Sequence, residues 1–97
     1  MVRRKDFKKE VYQLAKEIGV KVTEIHMRKM RNKWASCSSK GRLTFDPSIL
    51  RMRNRKRYEI VLHELLHLRY PNHGRMFKTM LNLYLEKSLH SIGYQEI

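Results

Sequence analysis

His63-Glu64-Leu65-Leu66-His67 sets two imidazoles four residues apart, with a carboxylate beside the first. On a helix, residues four apart share a face. Both rings then reach one metal ion at about 2.0–2.1 Å, the usual Zn–N distance. Glu64 lies about 100° round the helix from His63. It is placed to take a proton from a water on the metal rather than to ligate the metal itself. A catalytic zinc keeps three protein ligands and one open position. The favoured third ligand is His73, beyond Pro71-Asn72, where the helix must stop and the chain can fold back. His26 and His90 are the alternatives. The reading is one Zn2+ per chain, held by His63, His67 and His73, with Glu64 catalytic. Such motifs also arise by chance on helices whose histidines are merely satisfied in place. Here, however, the polar set interrupts a leucine-rich stretch, where it is costly without a purpose.

The elements that must position this set follow from periodicity. Phe7, Val11, Leu14, Ala15 and Ile18 form one helical stripe, so a first helix is predicted over Phe7–Ile18, with Asp6 as N-cap and Gly19 just past its end. Val20 to Asp46 reads as strand, with Val22–Met30 as a first strand. Trp34–Cys37 and Arg42–Phe45 are then joined by the turn Ser38-Ser39-Lys40-Gly41, and Asp46-Pro47 ends the last strand. A second helix is predicted over Arg53–Arg69, its later part apolar nearly all round and therefore buried. A third runs from Arg75 to Leu89, with Phe77, Met80, Leu81 and Tyr84 as its stripe. The order implies an α+β domain: an N-terminal helix, a small antiparallel sheet with a hairpin, the active-site helix and a backing C-terminal helix. Trp34 and Phe77 are read as core.

With 97 residues the chain suits one domain, residues 1–97, with a lean core. No stretch approaches a membrane span and no apolar signal segment follows the basic N-terminus. The lone Cys37 forms no internal disulfide. The expectation is a soluble cytoplasmic protein without membrane insertion. The net charge of +13 admits nucleic acid, an acidic substrate or an anionic surface as partner. Only Arg51–Arg57 is densely basic, so nucleic-acid binding is expected to be weak and non-specific at most.

The segment His63–Phe77, HELLHLRYPNHGRMF, resembles the zinc-site segment of gluzincin-type metallopeptidases and SprT/WLM-like hydrolases. Trp34–Phe45, WASCSSKGRLTF, resembles the Trp-x-Ser-Cys hairpin of bacterial and archaeal metal-dependent hydrolases. At this length the chain is most similar to the minigluzincins, and the resemblance covers Lys21 to about Leu85. It implies a minimal zincin-like fold with an antiparallel sheet beside the active-site helix, and it supports His73 as third ligand. It also implies a zymogen held inactive by a C-terminal segment, here residues 88–97. That segment offers His90, Glu96 and the terminal carboxylate of Ile97 as ligands that would fill the open position, within one molecule or by exchange in a dimer. The resemblance gives the function as zinc-dependent peptide-bond hydrolysis.

Weaker assignments complete the reading. The strand Arg42-Leu43-Thr44-Phe45 is expected nearest the active-site helix, its free edge pairing with an extended peptide or protein substrate. Tyr70 and Tyr84 are candidates for stabilising an oxyanion. The rival functions are hydrolysis of a nucleotide or other phosphate ester on the same metal, and a basic nucleic-acid-binding module with structural zinc. The first lacks a carboxylate cluster for a two-metal site, and the second lacks the cysteines usual in structural zinc sites.

Overall fold

The computed structural model describes residues 1–91. The predicted apolar stripe makes α1 (Arg4–Ile18) an amphipathic helix that buries Phe7, Val11, Leu14, Ala15 and Ile18. It begins earlier than expected. Its N-cap is Arg3, whose side chain caps nothing, and Asp6 stands in the first turn instead. There its charge meets the positive end of the helix dipole. Gly19 ends α1 with φ +84°, its amide donating to Ala15 O at 2.9 Å.

Three short strands follow: β1 (Glu24–Met27), β2 (Ala35–Cys37) and β3 (Arg42–Phe45). Their spatial order is β1-β3-β2. β2 and β3 form the predicted antiparallel hairpin, with Ser36 opposite Thr44. β1 runs parallel to β3, with Glu24 opposite Arg42. The sheet is therefore mixed rather than antiparallel throughout. The physical reason is the connection 28–34, which carries the chain past the site of β3 to the far edge. The hairpin then returns β3 into the gap, so that it runs in the direction of β1. Gly41 makes the hairpin possible. Its φ is +86°, and a Cβ there would stand 2.5 Å from Lys21 O.

This order overturns the expected substrate strand. β3 is paired on both sides and has no free edge. Leu43 and Phe45 are fully buried, and Arg42 Nε donates to Glu24 Oε2 at 2.6 Å. The free edge on the side of α2 (Asn54–His67) belongs to β2, which packs beside that helix.

Asp46 organises the way out of the sheet. Its amide donates to Trp34 O at 2.8 Å, while its carboxylate accepts from the amides of Met30 (2.8 Å) and Ser48 (2.9 Å). A 3₁₀ turn, Pro47–Arg51, leads into α2. Val61, Leu62, Leu65 and Leu66 are fully buried on one side of α2. Arg57 is buried beneath α1, with its guanidinium on Glu10 (2.8 and 3.2 Å) and Asn54 (2.8 Å). α3 (Arg75–Ser91) packs along α2 and buries Phe77, Leu85, Ser88 and Leu89. Trp34 departs from its predicted core role. It is 47% exposed, with Lys56 Nζ 4.8 Å from its ring centroid. No described helix is long and apolar enough to cross a membrane.

Candidate metal centre

The 3.6-residue period divides α2 into two faces. With the leucines and Val61 turned to the core, His63, Glu64 and His67 fall on the side facing β2 and α3. After His67 the helix tightens. The amides of Leu68, Arg69 and Tyr70 donate to Leu65 O (3.1 Å), Leu66 O (3.0 Å) and Leu66 O (2.7 Å). Pro71 stops the ladder, and the chain doubles back through His73 before α3 begins at Arg75.

This reversal brings together the three predicted ligands. One nitrogen each from His63, His67 and His73 lies within 4.8 Å of the others. His67 Nε2 and His73 Nε2 are 2.7 Å apart. Two ring nitrogens this close share either a proton or a metal ion. Burial, reinforced by the neighbouring His63, pushes the His67 pKa below its ordinary value. The ring is thereby kept neutral, the form that binds metal. His63 Nδ1 contacts Glu64 Oε2 at 3.0 Å. When Nδ1 carries the proton, Nε2 of His63 keeps its lone pair. Three imidazoles converging on one point form a donor set that suits zinc.

Phe77 closes the centre from below. Its ring centroid lies 5.2, 5.0 and 4.8 Å from those of His63, His67 and His73. The side chain is 2% exposed, and this predicted core residue also floors the candidate metal site. Sequence periodicity marks Phe77 as apolar but carries no sign of the imidazoles above it.

A groove runs between β2 and α2. A cavity of about 560 Å³ is bounded by Ala35, Cys37, Glu64 and His67. A second, of about 380 Å³, lies on the other side of Glu64 against Trp34, Lys56 and Ile60. Glu64 lines both, and its side chain is 13% exposed. Burial, and next the charge of Glu64, raises the Cys37 thiol to about 11. It therefore stays protonated and is a poor metal ligand or nucleophile at neutral pH.

The hydrogen bonds of the hairpin fix which backbone groups face the groove. Asp46 bonds to Trp34 and Ser38 N donates to Arg42 O. Antiparallel ladders alternate, so the peptide groups of Ala35 and Cys37 turn away from β3, toward the free edge.

The other candidates lie elsewhere. His26, on β1, is exposed and 3.7 Å from Glu24 Oε2. α3 carries His90 roughly 20 Å along its axis from Phe77, so it cannot fill the open position of its own chain. Glu96 and Ile97 lie outside the described residues. Tyr70 and Tyr84 are partly buried against the core, and neither lines the groove beside Glu64. Sequence reasoning missed Lys33, Lys56 and the β2 edge. The exposed Trp34 ring beside them carries no signal in residue type alone.

The fold is similar to that in the crystal structure of the metallopeptidase zymogen of Pyrococcus abyssi abylysin. The TM-score is 0.62 at 18% identity, over 96% of this chain and 98% of that one. A search of curated protein sequences finds no match. The family model of the YgjP-like metallopeptidase domain matches residues 2–90. A match of that extent takes in every element around the three histidines, and it shows that this chain belongs to the YgjP-like metallopeptidase family.

Proposed function

We propose that the chain hydrolyses peptide bonds, with one zinc ion held by His63, His67 and His73 and with Glu64 as general base. The observation that carries this reading is the place of Glu64, beside the three imidazoles and lining the groove on both sides. Zinc bound there supplies Lewis acidity, lowering the pKa of a water and polarising a carbonyl. Glu64 accepts the water's proton at a carboxylate oxygen and returns it to the leaving amine. The contact between His63 Nδ1 and Glu64 Oε2 holds both side chains in orientation. The outward peptide groups of Ala35 and Cys37 align an extended substrate by strand pairing. Among the described residues, His63, His67 and His73 form the one grouping suited to a metal. Among the described residues no carboxylate cluster for two-metal phosphoryl chemistry accompanies it.

Digestion of a broad peptide library tests the reading. Cleavage should stop on chelation and return with stoichiometric zinc. A zinc-loaded, folded protein that cleaves no peptide either at full length or when truncated after Ser91 would sink it.

We extend the proposal to latency in a cytoplasmic protein, with the segment after Ser91 restraining the groove of its own chain or of a second copy. The zymogen state of the abylysin structure supports it. Ser88 and Leu89 are buried, so the segment begins later than residue 88. Truncation after Ser91 should raise peptidase activity at unchanged zinc content. Unchanged activity in a folded, zinc-loaded truncation would refute it.

A further inference from the structure

We infer that the groove is built to take an extended, acidic peptide segment. This inference deepens the peptidase reading and rests on it for the groove's use. Three cavities share walls. The central one shares Lys33, Ala35 and Glu64 with the cavity at Trp34. At its other end it shares Ser39 and Leu68 with a third, of about 430 Å³, beside Lys21, Lys40 and Arg69. A single trough therefore passes Glu64 with the β2 edge as one wall.

Charge along the trough is one-sided. Lys33 and Lys56 stand at one end, and Lys21, Lys40 and Arg69 at the other. Against these five cations the lining residues include two carboxylates, Glu59 and Glu64. Elsewhere three carboxylates are engaged by arginines: Glu10 with Arg57, Glu24 with Arg42, Glu86 with Arg55. None of the four trough lysines has a carboxylate partner among the described residues. Lys56 is held over the Trp34 ring at 4.8 Å, which fixes its ammonium at the mouth of the groove.

A cleft lined by one sign of charge focuses the field and concentrates ligands of the opposite sign. The strand edge selects a ligand that carries backbone amides, and the lysines select one with carboxylates near both ends. A nucleic acid supplies negative charge but no backbone amides for the strand edge. One face of the exposed Trp34 ring is taken by Lys56 and closed to base stacking.

The test is fluorescence anisotropy on zinc-loaded, full-length Glu64→Gln protein, which binds without turnover. Labelled acidic, neutral and basic peptides of equal length are compared, with a single-stranded oligonucleotide, at about 0.15 M salt. The acidic peptide should bind roughly tenfold or more tighter than the neutral one. Lys33→Glu/Lys56→Glu should abolish that preference. Lys8→Glu/Lys9→Glu makes the same change in net charge on exposed positions of α1 away from the trough, and it should leave the preference within about threefold. Equal losses from both pairs would reduce the preference to general attraction by a charged protein and overturn the inference. So would equal affinity for acidic and neutral peptides, or tighter, Lys33/Lys56-dependent binding of the oligonucleotide. If the acidic preference holds but neither the wild-type protein nor its truncation after Ser91 cleaves the bound peptide, the peptidase reading fails and the binding site stands.

Discussion

Replacing Phe77 by leucine separates packing from support of the metal ligands. The ring is 2% exposed and touches all three imidazoles at centroid distances of 4.8–5.2 Å. Truncation to alanine would cost about 3–5 kcal/mol, a large part of the roughly 5–15 kcal/mol that holds a domain of this size. Leucine keeps most of the volume, at a cost of about 1–2 kcal/mol from shape change and lost aromatic contacts. At about 4–8 °C per kcal/mol, the metal-free protein should lose roughly 4–16 °C in Tm. The metal-bound state loses more, because the three rings no longer share a rigid floor. Supporting residues around metal ligands typically account for about 10–100-fold in affinity. A tenfold loss is about 1.4 kcal/mol, so the zinc-induced rise in Tm should shrink by roughly 6–11 °C. Calorimetry with zinc and with chelator, alongside competition against a chromophoric chelator, reads both effects. If Phe77→Leu lowers the metal-free Tm while zinc affinity stays within about twofold of the parent, the floor has no part in holding the metal, and the reasoning is refuted.

Three further outcomes follow from buried or shifted groups. Glu10→Leu leaves the buried Arg57 guanidinium without its carboxylate and should cost about 3–5 kcal/mol in urea unfolding; Arg57→Met in the same chain should restore most of it. The Asp46 carboxyl is held below the usual carboxylate range by the amides of Met30 and Ser48. Its folded pKa lies below the unfolded value, so this stabilisation is complete above about pH 4 and is lost as pH falls through the lower folded value; acid-unfolding curves of Asp46→Asn should show less loss there than the parent. Cys37, raised to about 11 chiefly by burial, should alkylate slowly at pH 8 in the folded protein and readily once unfolded, as mass spectrometry would show.

The chemistry was more legible in the sequence than the sheet. His63, Glu64 and His67 are fixed by helical spacing, and Pro71 marks the reversal that brings His73 back; both are local signals. The stripe Phe7–Ile18 and the turn ending at Gly41 are local too, and both formed as read. Strand order is not local. Nothing in residues 24–45 states that β3 inserts between β1 and β2, because that depends on how the 28–34 connection crosses the sheet. The error moved the free edge from Ala35–Cys37 to Arg42–Phe45, and the expected substrate strand with it. Trp34 misled for a similar reason. An aromatic flanking a strand is usually core, but this one immediately precedes an edge strand and faces Lys56. The start of α1 was misplaced because Arg3 caps it without a side-chain bond.

The central claim is that Glu64 moves the proton while the three histidines hold the metal. Its most direct test is Glu64→Gln, compared with the parent chain on one peptide pool, with zinc content and Tm measured on the same samples. Zinc should remain near one equivalent and Tm should hold, while hydrolysis falls by at least about 10²-fold. Hydrolysis at the parental rate by the zinc-loaded variant would contradict the account.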